Sequence, residues 1–162
     1  MTTVSVALAT PESFGLFSSA EWRSLCLAQH NILLEGPRVA TDAILAELMP
    51  YLRTPITTRR AGRRRLTVPA GSTGALVLRD VASLSSLDQG HLMRWLNEPG
   101  GRHVISTTEA PLFPRVATGE FNEALYYRLN VVLLRLGEAA ALPDALSEDR
   151  EDSFSADAAT LH

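Results

Sequence analysis

The chain has 162 residues, 46% of them hydrophobic, with a mean hydropathy of +0.04 and a formal net charge of −3. That is enough apolar material for one compact domain with its own core, and no run nears the ~18 apolar residues of a membrane span. All 15 basic residues are arginine, which excludes chemistry that needs a lysine, such as a Schiff base, a lysine general base or the lysine of a phosphate-binding loop.

The opening "MTTVSVALATPESFG" has no basic region ahead of a weak apolar run, so no signal peptide is expected. "SSAEWRSLCLAQ" predicts a helix with Ser18 and Glu21 as a capping box and Trp22, Leu25, Cys26 and Gln29 on one face. Cys26, the single cysteine, reads as a small core residue rather than a catalytic thiol. It has no internal disulfide partner, which fits a reducing, cytoplasmic setting. "NILLEG" predicts a short buried strand ending at Gly36. "PRVATDAILAELMPYL" predicts a loop and then a helix carrying Ile44, Leu45, Leu48, Met49 and Leu52 along one face. "TPITT" is β-prone, and "RRAGRRRLTVPAGSTG" reads as an exposed loop with a candidate strand at "LTV". "GALVLRDV" is a strand, and "SSLDQGHLMRWLNE" a helix capped by Ser86 and Gln89 and stopped at "PGG". "RHVISTT" is a strand, "NEALYYRL" a helix and "NVVLLRL" a last strand.

Near-continuous apolar strands alternating with helices predict a doubly wound, mainly parallel sheet in a three-layer αβα domain. Residues 1–17 would precede this core and 18–136 would form it. Residues 137–162 would be an Ala-rich, then acidic, disordered tail, whose last 16 residues carry five acids and one arginine. Ligands of such sheets bind beyond the C-terminal ends of the strands. The places to look are therefore Gly36 onward, Arg79–Asp80 and Thr107–Glu109.

Four segments in this order resemble the AAA+ domain of the sigma-54 activators, the bacterial enhancer-binding proteins. "GALVLRDVASLSSLDQGHLMRWLNE" is similar to their Walker B strand and following helix, and "RHVISTTEAPL" to the next strand with its sensor. "GEFNEALYYRLNVV" is very close to the family's "GxFRxDLYYRLNVV", and "NILLEGPRVATDAILAELM" fits the P-loop unit. The resemblance implies a P-loop NTPase fold, ATP and Mg²⁺ as the family's cofactors, and ATP-driven remodelling of the sigma-54 RNA polymerase. In that family the helix of the third motif lies at a subunit boundary, and its arginines stabilise charge on a neighbour's phosphoryl group.

Residue by residue, the nucleotide chemistry is altered. "GPRVATDA" keeps only Gly36. Pro37 lacks an N–H, Val39 and Thr41 stand where glycines permit the turn, and the lysine position is Asp42. A unit-charge pair at 4 Å is worth roughly 4 kcal/mol at an effective dielectric near 20, so losing that attraction costs on the order of a thousandfold in affinity. Asp42 is also expected to cap its helix. The Walker B Asp-Glu pair aligns with Arg79 and Asp80, the sensor asparagine with Glu109, and the two finger arginines with Asn122 and Arg128. The "GAFTGA" loop, the helical lid and a helix-turn-helix domain have no counterpart in the sequence.

These residues lead to an inactive, pseudo-ATPase reading. The chain would have no cofactor of its own and no catalytic or metal-binding set, and it would act on transcription control by binding a protein. An intact AAA+ subunit would meet Arg128, and direct sigma-54 contact is not expected. One alternative is a residual ATP-binding regulator. A decaying fragment with no partner is another. Arg59, Arg60, Arg63, Arg64 and Arg65 are candidates for weak polyanion or nucleic-acid contact, set against a solvated loop that the acidic tail folds back on. Asp80, Glu109 and Arg128 would gather in one cleft if any enzyme activity remained; the simpler reading is an ion-pair network. His30, His91, His103 and His162 show no metal-ligand spacing, and the sequence has no catalytic triad. Trp22, Trp95, Phe121, Tyr126 and Tyr127 read as packing residues.

Overall fold

Four short apolar strands and one more polar edge strand pair in parallel throughout, with a helix in every connection but the one from the edge strand to its neighbour. The computed structural model describes residues 18–70, 74–100 and 102–137; the segment expected at 1–17 and, after Gly137, the tail expected at 137–162 lie outside the described residues. The strands are β1 (Ile32–Glu35), β2 (Ile56–Arg60), β3 (Ala75–Arg79), β4 (His103–Thr108) and β5 (Val132–Arg135), in the spatial order β2-β3-β4-β1-β5. Ile32 pairs with Ile105 on one side and Val132 on the other, so β1 sits between β4 and β5. The helices are α1 (Ser19–Leu27), α2 (Arg38–Leu48), α3 (Ser86–Asn97), α4 (Phe113–Ala117) and α5 (Glu123–Leu129). This is the doubly wound architecture expected.

Successive strand side chains point to opposite faces, so β1, β3, β4 and β5 each feed two cores. Ile32, Leu34, Val77, Ile105 and Leu134 pack with Trp22 and Cys26 of α1 and with Ile44, Leu45 and Leu48 of α2. Leu33, Leu76, Leu78, Val104 and Leu133 pack on the other side with Leu92, Trp95 and Leu96 of α3 and with Leu125, Tyr126 and Leu129 of α5. Because both faces are covered, these four strands lack polar alternation. Burial also pushes the Cys26 thiol pKa up, which keeps it protonated and unreactive.

The Ser18–Glu21 capping box is formed, with Ser18 N–H donating to Glu21 Oε2 at 2.7 Å and Glu21 N–H to Ser18 Oγ at 3.3 Å. Gln29, placed by sequence on the same face, lies past the helix end in a left-handed conformation. Met49 does not continue the apolar face of α2. The helix tightens into a 3₁₀ turn at Met49–Tyr51, with Pro50 inside it, and Met49 is 39% exposed. The cap of α3 is shifted by one residue: Ser85, not Ser86, accepts the Asp88 N–H at 3.1 Å. This frees Gln89, the other half of the expected box, for a different task described below. "LTV" forms no strand, although Leu66 is buried. Arg59 and Arg60 belong to β2 rather than to an exposed loop. Tyr127 is 40% exposed and meets only the edge of Tyr126, so it is not a core residue. The short helix α4 was not legible in the sequence.

His103 opens β4 fully buried, and neither ring nitrogen has a hydrogen-bond partner. Burial lowers its pKa from the ordinary 6.5; the nearby His30 backbone opposes this without completing a hydrogen bond, while the charges of His30 and Arg53 add to the lowering. The ring is therefore neutral in the fold, whereas the unfolded chain takes up a proton near the ordinary value. Its contribution to stability is complete above that value and is lost as pH falls through the lowered folded pKa. Urea midpoints taken at about pH 7.5 and about pH 5.5 should fall more for the parent chain than for His103→Val; equal falls would show that His103 is not the titrating group.

Candidate functional site

The C-terminal ends of β2, β3 and β4 and the start of α2 enclose one small space lined by Arg38, Thr41, Asp42, Arg60, Arg79, Asp80, Thr107, Thr108 and Glu109. Three of the strand-end positions singled out in the sequence, Arg79, Asp80 and Glu109, do meet here with Asp42. The connection from β1 to α2 consists of Gly36 and Pro37 alone, because α2 begins at Arg38. No stretch of backbone is left to wrap an anion. Gly36 has φ +152°, and a Cβ there would lie 2.2 Å from the Leu136 carbonyl oxygen. Its N–H donates to the Thr108 carbonyl at 2.9 Å. Gly36 is thus explained by the close approach of the chain after β5, and its N–H is already used.

Asp42 does not cap α2. It lies a full turn inside the helix, and the cap position is Pro37, with no side-chain hydrogen bond. Its carboxylate accepts from Arg79 Nη1 at the end of β3 and lies 3.7 Å from Arg38 Nε. Asp80, in a left-handed conformation with φ +55°, turns the chain out of β3. Its carboxylate pairs with Arg60 Nε from the neighbouring end of β2. The lining therefore sets three guanidinium groups against three carboxylates, and the open space is about 10 Å³, roughly the room for one water molecule. Sequence spacing gave no sign of the Arg60–Asp80 pair, since only the pairing of β2 with β3 brings these residues together.

Glu35 forms a second buried charge centre at the end of β1. Its carboxylate accepts from the Leu112 N–H at 3.1 Å and from Arg135 Nε at 3.1 Å. This binds β5 and the approach to α4 to β1. A polar residue closing an apolar strand was the available signal.

Arg128 does not join Asp80 and Glu109. It lies at the opposite, N-terminal edge of the sheet, on a cleft of about 410 Å³ shared with His30, Asn31, Arg102 and Val131. There Arg128 Nη2 donates to the Leu96 carbonyl at 3.4 Å. Two buried amides fix the helix that carries it. Gln89 Nε2 donates to the Leu84 and Glu120 carbonyls, both at 3.1 Å, and its Oε1 accepts the Asn122 N–H at 2.7 Å, just where α5 starts. Asn31 Nδ2 donates to the Arg128 carbonyl at 2.7 Å, and its Oδ1 accepts the Val104 N–H at 2.9 Å. Asn122, at the first finger position, is the α5 cap and accepts the Leu125 N–H at 2.9 Å.

The five-arginine cluster is divided. Arg59 is turned onto the Thr67 and Thr58 carbonyls at 3.3 and 3.0 Å, and Arg60 onto Asp80. Only Arg63, Arg64 and Arg65 project from the turn after β2. Among the described residues there is no group of three or more His, Cys, Asp or Glu side chains placed to hold a metal, and no helix long and apolar enough to cross a membrane.

Solved structures of NtrX from Brucella abortus share this fold. The one in complex with ADP superposes with a TM-score of 0.54 at 22% identity, and the one in complex with ATP with 0.55 at 20%. Each comparison covers 72% of this chain and 34% of NtrX. The architecture is thus the αβα fold of P-loop, AAA+ proteins. The description "Sigma-54 interaction domain" matches residues 28–138, more than half of the chain, and the chain belongs to that family. It is also 37% identical over 75 residues to the HTH-type transcriptional regulatory protein TyrR of Enterobacter agglomerans, a match covering 39% of this chain and 14% of TyrR. The chain spans about a third of the length of NtrX and a smaller part of TyrR.

The Asp42 and Arg79 side chains are 39% and 30% exposed, so solvent screening holds the pair to about 1 kcal/mol. Asp42→Arg and Arg79→Asp should each cost about that much by urea denaturation, and the double reversal should recover most of the loss. Strictly additive losses would show that the two groups are not coupled.

Proposed function

We propose that this domain is a pseudo-ATPase that regulates transcription by binding a protein rather than by turning over ATP. The observation that carries this reading is the Asp42–Arg79 ion pair. By alignment with the family it stands where a lysine would hold phosphates and an aspartate would support Mg²⁺. A carboxylate now faces the phosphate position and a guanidinium the metal position, each satisfied by the other. The charge-balanced lining, the small volume and the occupied Gly36 N–H argue in the same direction. These residues do not fit a nucleoside triphosphate with Mg²⁺, and no hydrolytic step is assigned to them. Isothermal titration with ATP and ADP, with and without Mg²⁺, should give no heat at millimolar nucleotide. A tight Mg²⁺-dependent complex would instead establish a residual ATP-binding regulator.

The partner that fits is an intact AAA+ subunit. The arginine-bearing helix α5 is retained and braced at both ends, and Arg128 is exposed beside an open cleft. Added to an intact sigma-54 activator domain, the chain should alter that domain's ATPase rate. Arg128→Ala should abolish most of this effect while shifting stability by no more than about 0.5 kcal/mol. An unchanged effect would remove Arg128 from the contact.

A further inference from the structure

We propose that Arg63, Arg64 and Arg65, together with Arg94 of α3, form a docking site for the phosphate backbone of a nucleic-acid duplex. The turn that carries the first three is anchored on both sides. Ala61 is buried and its N–H donates to the Arg79 carbonyl at 2.9 Å. Gly62 has φ +89° and passes so close to Ser83 that a Cβ would lie 2.8 Å from the Ser83 Cβ. Leu66 is buried, and its N–H donates to Asp88 Oδ1 at 3.0 Å. Between these anchors three consecutive arginines have nowhere to go but outward. Anchoring matters because a fixed turn has already lost the backbone entropy that a free loop would lose on binding.

The turn also lies against α3. Arg65 Nη2 is 3.2 Å from His91 Nε2. Arg94 is exposed one turn further along the same helix face, three residues from His91. Four guanidinium groups thus share one surface. The acids beside them are engaged elsewhere: Asp80 with Arg60, and Asp88 with the Leu66 N–H and the Ser85 hydroxyl. Among the described residues, Arg63 and Arg64 have no hydrogen bond or ion pair of their own. Arginine offers a planar, many-donor match to phosphate oxygens. The one large apolar side chain exposed on α3 is Leu87, which is less than a protein–protein hot spot needs. A row of separate positive groups with little apolar surface fits evenly spaced phosphates better than a folded protein partner. The site is independent of the strand-end ion pairs and of α5.

The test is fluorescence anisotropy of the full chain with a labelled DNA duplex of about 20 base pairs and mixed sequence, titrated over salt. Neutralising about four phosphates predicts a log–log slope of roughly −3.6, or about a hundredfold weaker binding for a fourfold rise in salt. Changing Arg63, Arg64 and Arg65 together to Ser should bring the slope to about −1, and Arg64→Ser alone should reduce it by about one. Arg23→Ser, on α1 across the sheet, should change nothing. Circular dichroism melts check that the variants fold; should the triple variant fail to fold, the single one decides. The proposal is overturned by absence of binding at about 50 mM salt, by a slope that ignores these changes, or by tighter binding of polyglutamate than of duplex at equal salt. The last result would give the surface to an acidic protein segment.

Discussion

The Asp42–Arg79 ion pair sets the terms for everything at the C-terminal edge of the sheet. It joins the first turns of α2 to the last residue of β3, two elements that also share an apolar core. On the α2 side, the helix begins directly after Pro37, with no intervening loop. Arg60 and Asp80 make a second pair beside it, so charge balances within the lining. A phosphate entering this space would have to break contacts between opposite charges while facing Asp42 itself. The exposure of the pair limits its value for stability, yet its geometric effect on the space is complete.

The same fold keeps its other edge open. At the N-terminal ends of β1, β4 and β5 the chain holds a cleft of about 410 Å³ with Arg128 on its wall. Arg102 stacks there over the Trp95 ring at 4.9 Å and donates to Glu98 at 2.7 Å. The contrast between a closed edge and an open one is what moves the functional reading from nucleotide chemistry to protein contact.

Much of the fold was legible because its strands are short, apolar and bounded by polar or glycine residues. "NILLEG", "GALVLRDV" and "RHVISTT" carry that pattern, and the structure places each of them in the parallel sheet. Errors fell where a local rule competes with tertiary geometry. Met49 continues the helical periodicity, but Pro50 withholds the N–H that an α-helical turn would use there, so the chain tightens and exposes Met49. Ser85 and Ser86 are equally good caps by residue type, and the demand on Gln89 from Asn122 and Glu120 settles the choice. At the candidate site the pairing of the charges was not legible. Asp42 with Arg79 and Arg60 with Asp80 are separated by 37 and 20 positions, and only strand order brings them together. A cleft shared by Asp80, Glu109 and Arg128 was the expectation only for a residual enzyme; in this fold Arg128 and the two acids occupy opposite ends of the strands.

The amide clamps on α5 have a consequence for timing. Gln89 holds the start of the helix and Asn31 its end, and neither lines the strand-end space. Coupling between two sites requires an element with two arrangements whose balance each site can bias. The clamps are hydrogen bonds of 2.7 to 3.1 Å from buried amides to backbone, and none of the strand-end charges takes part in them. On the proposed function, a partner docking on α5 would meet the same surface whatever the energy charge of the cell. Such a subunit would keep no cycle of its own, and in a mixed assembly it would be the member whose state never advances.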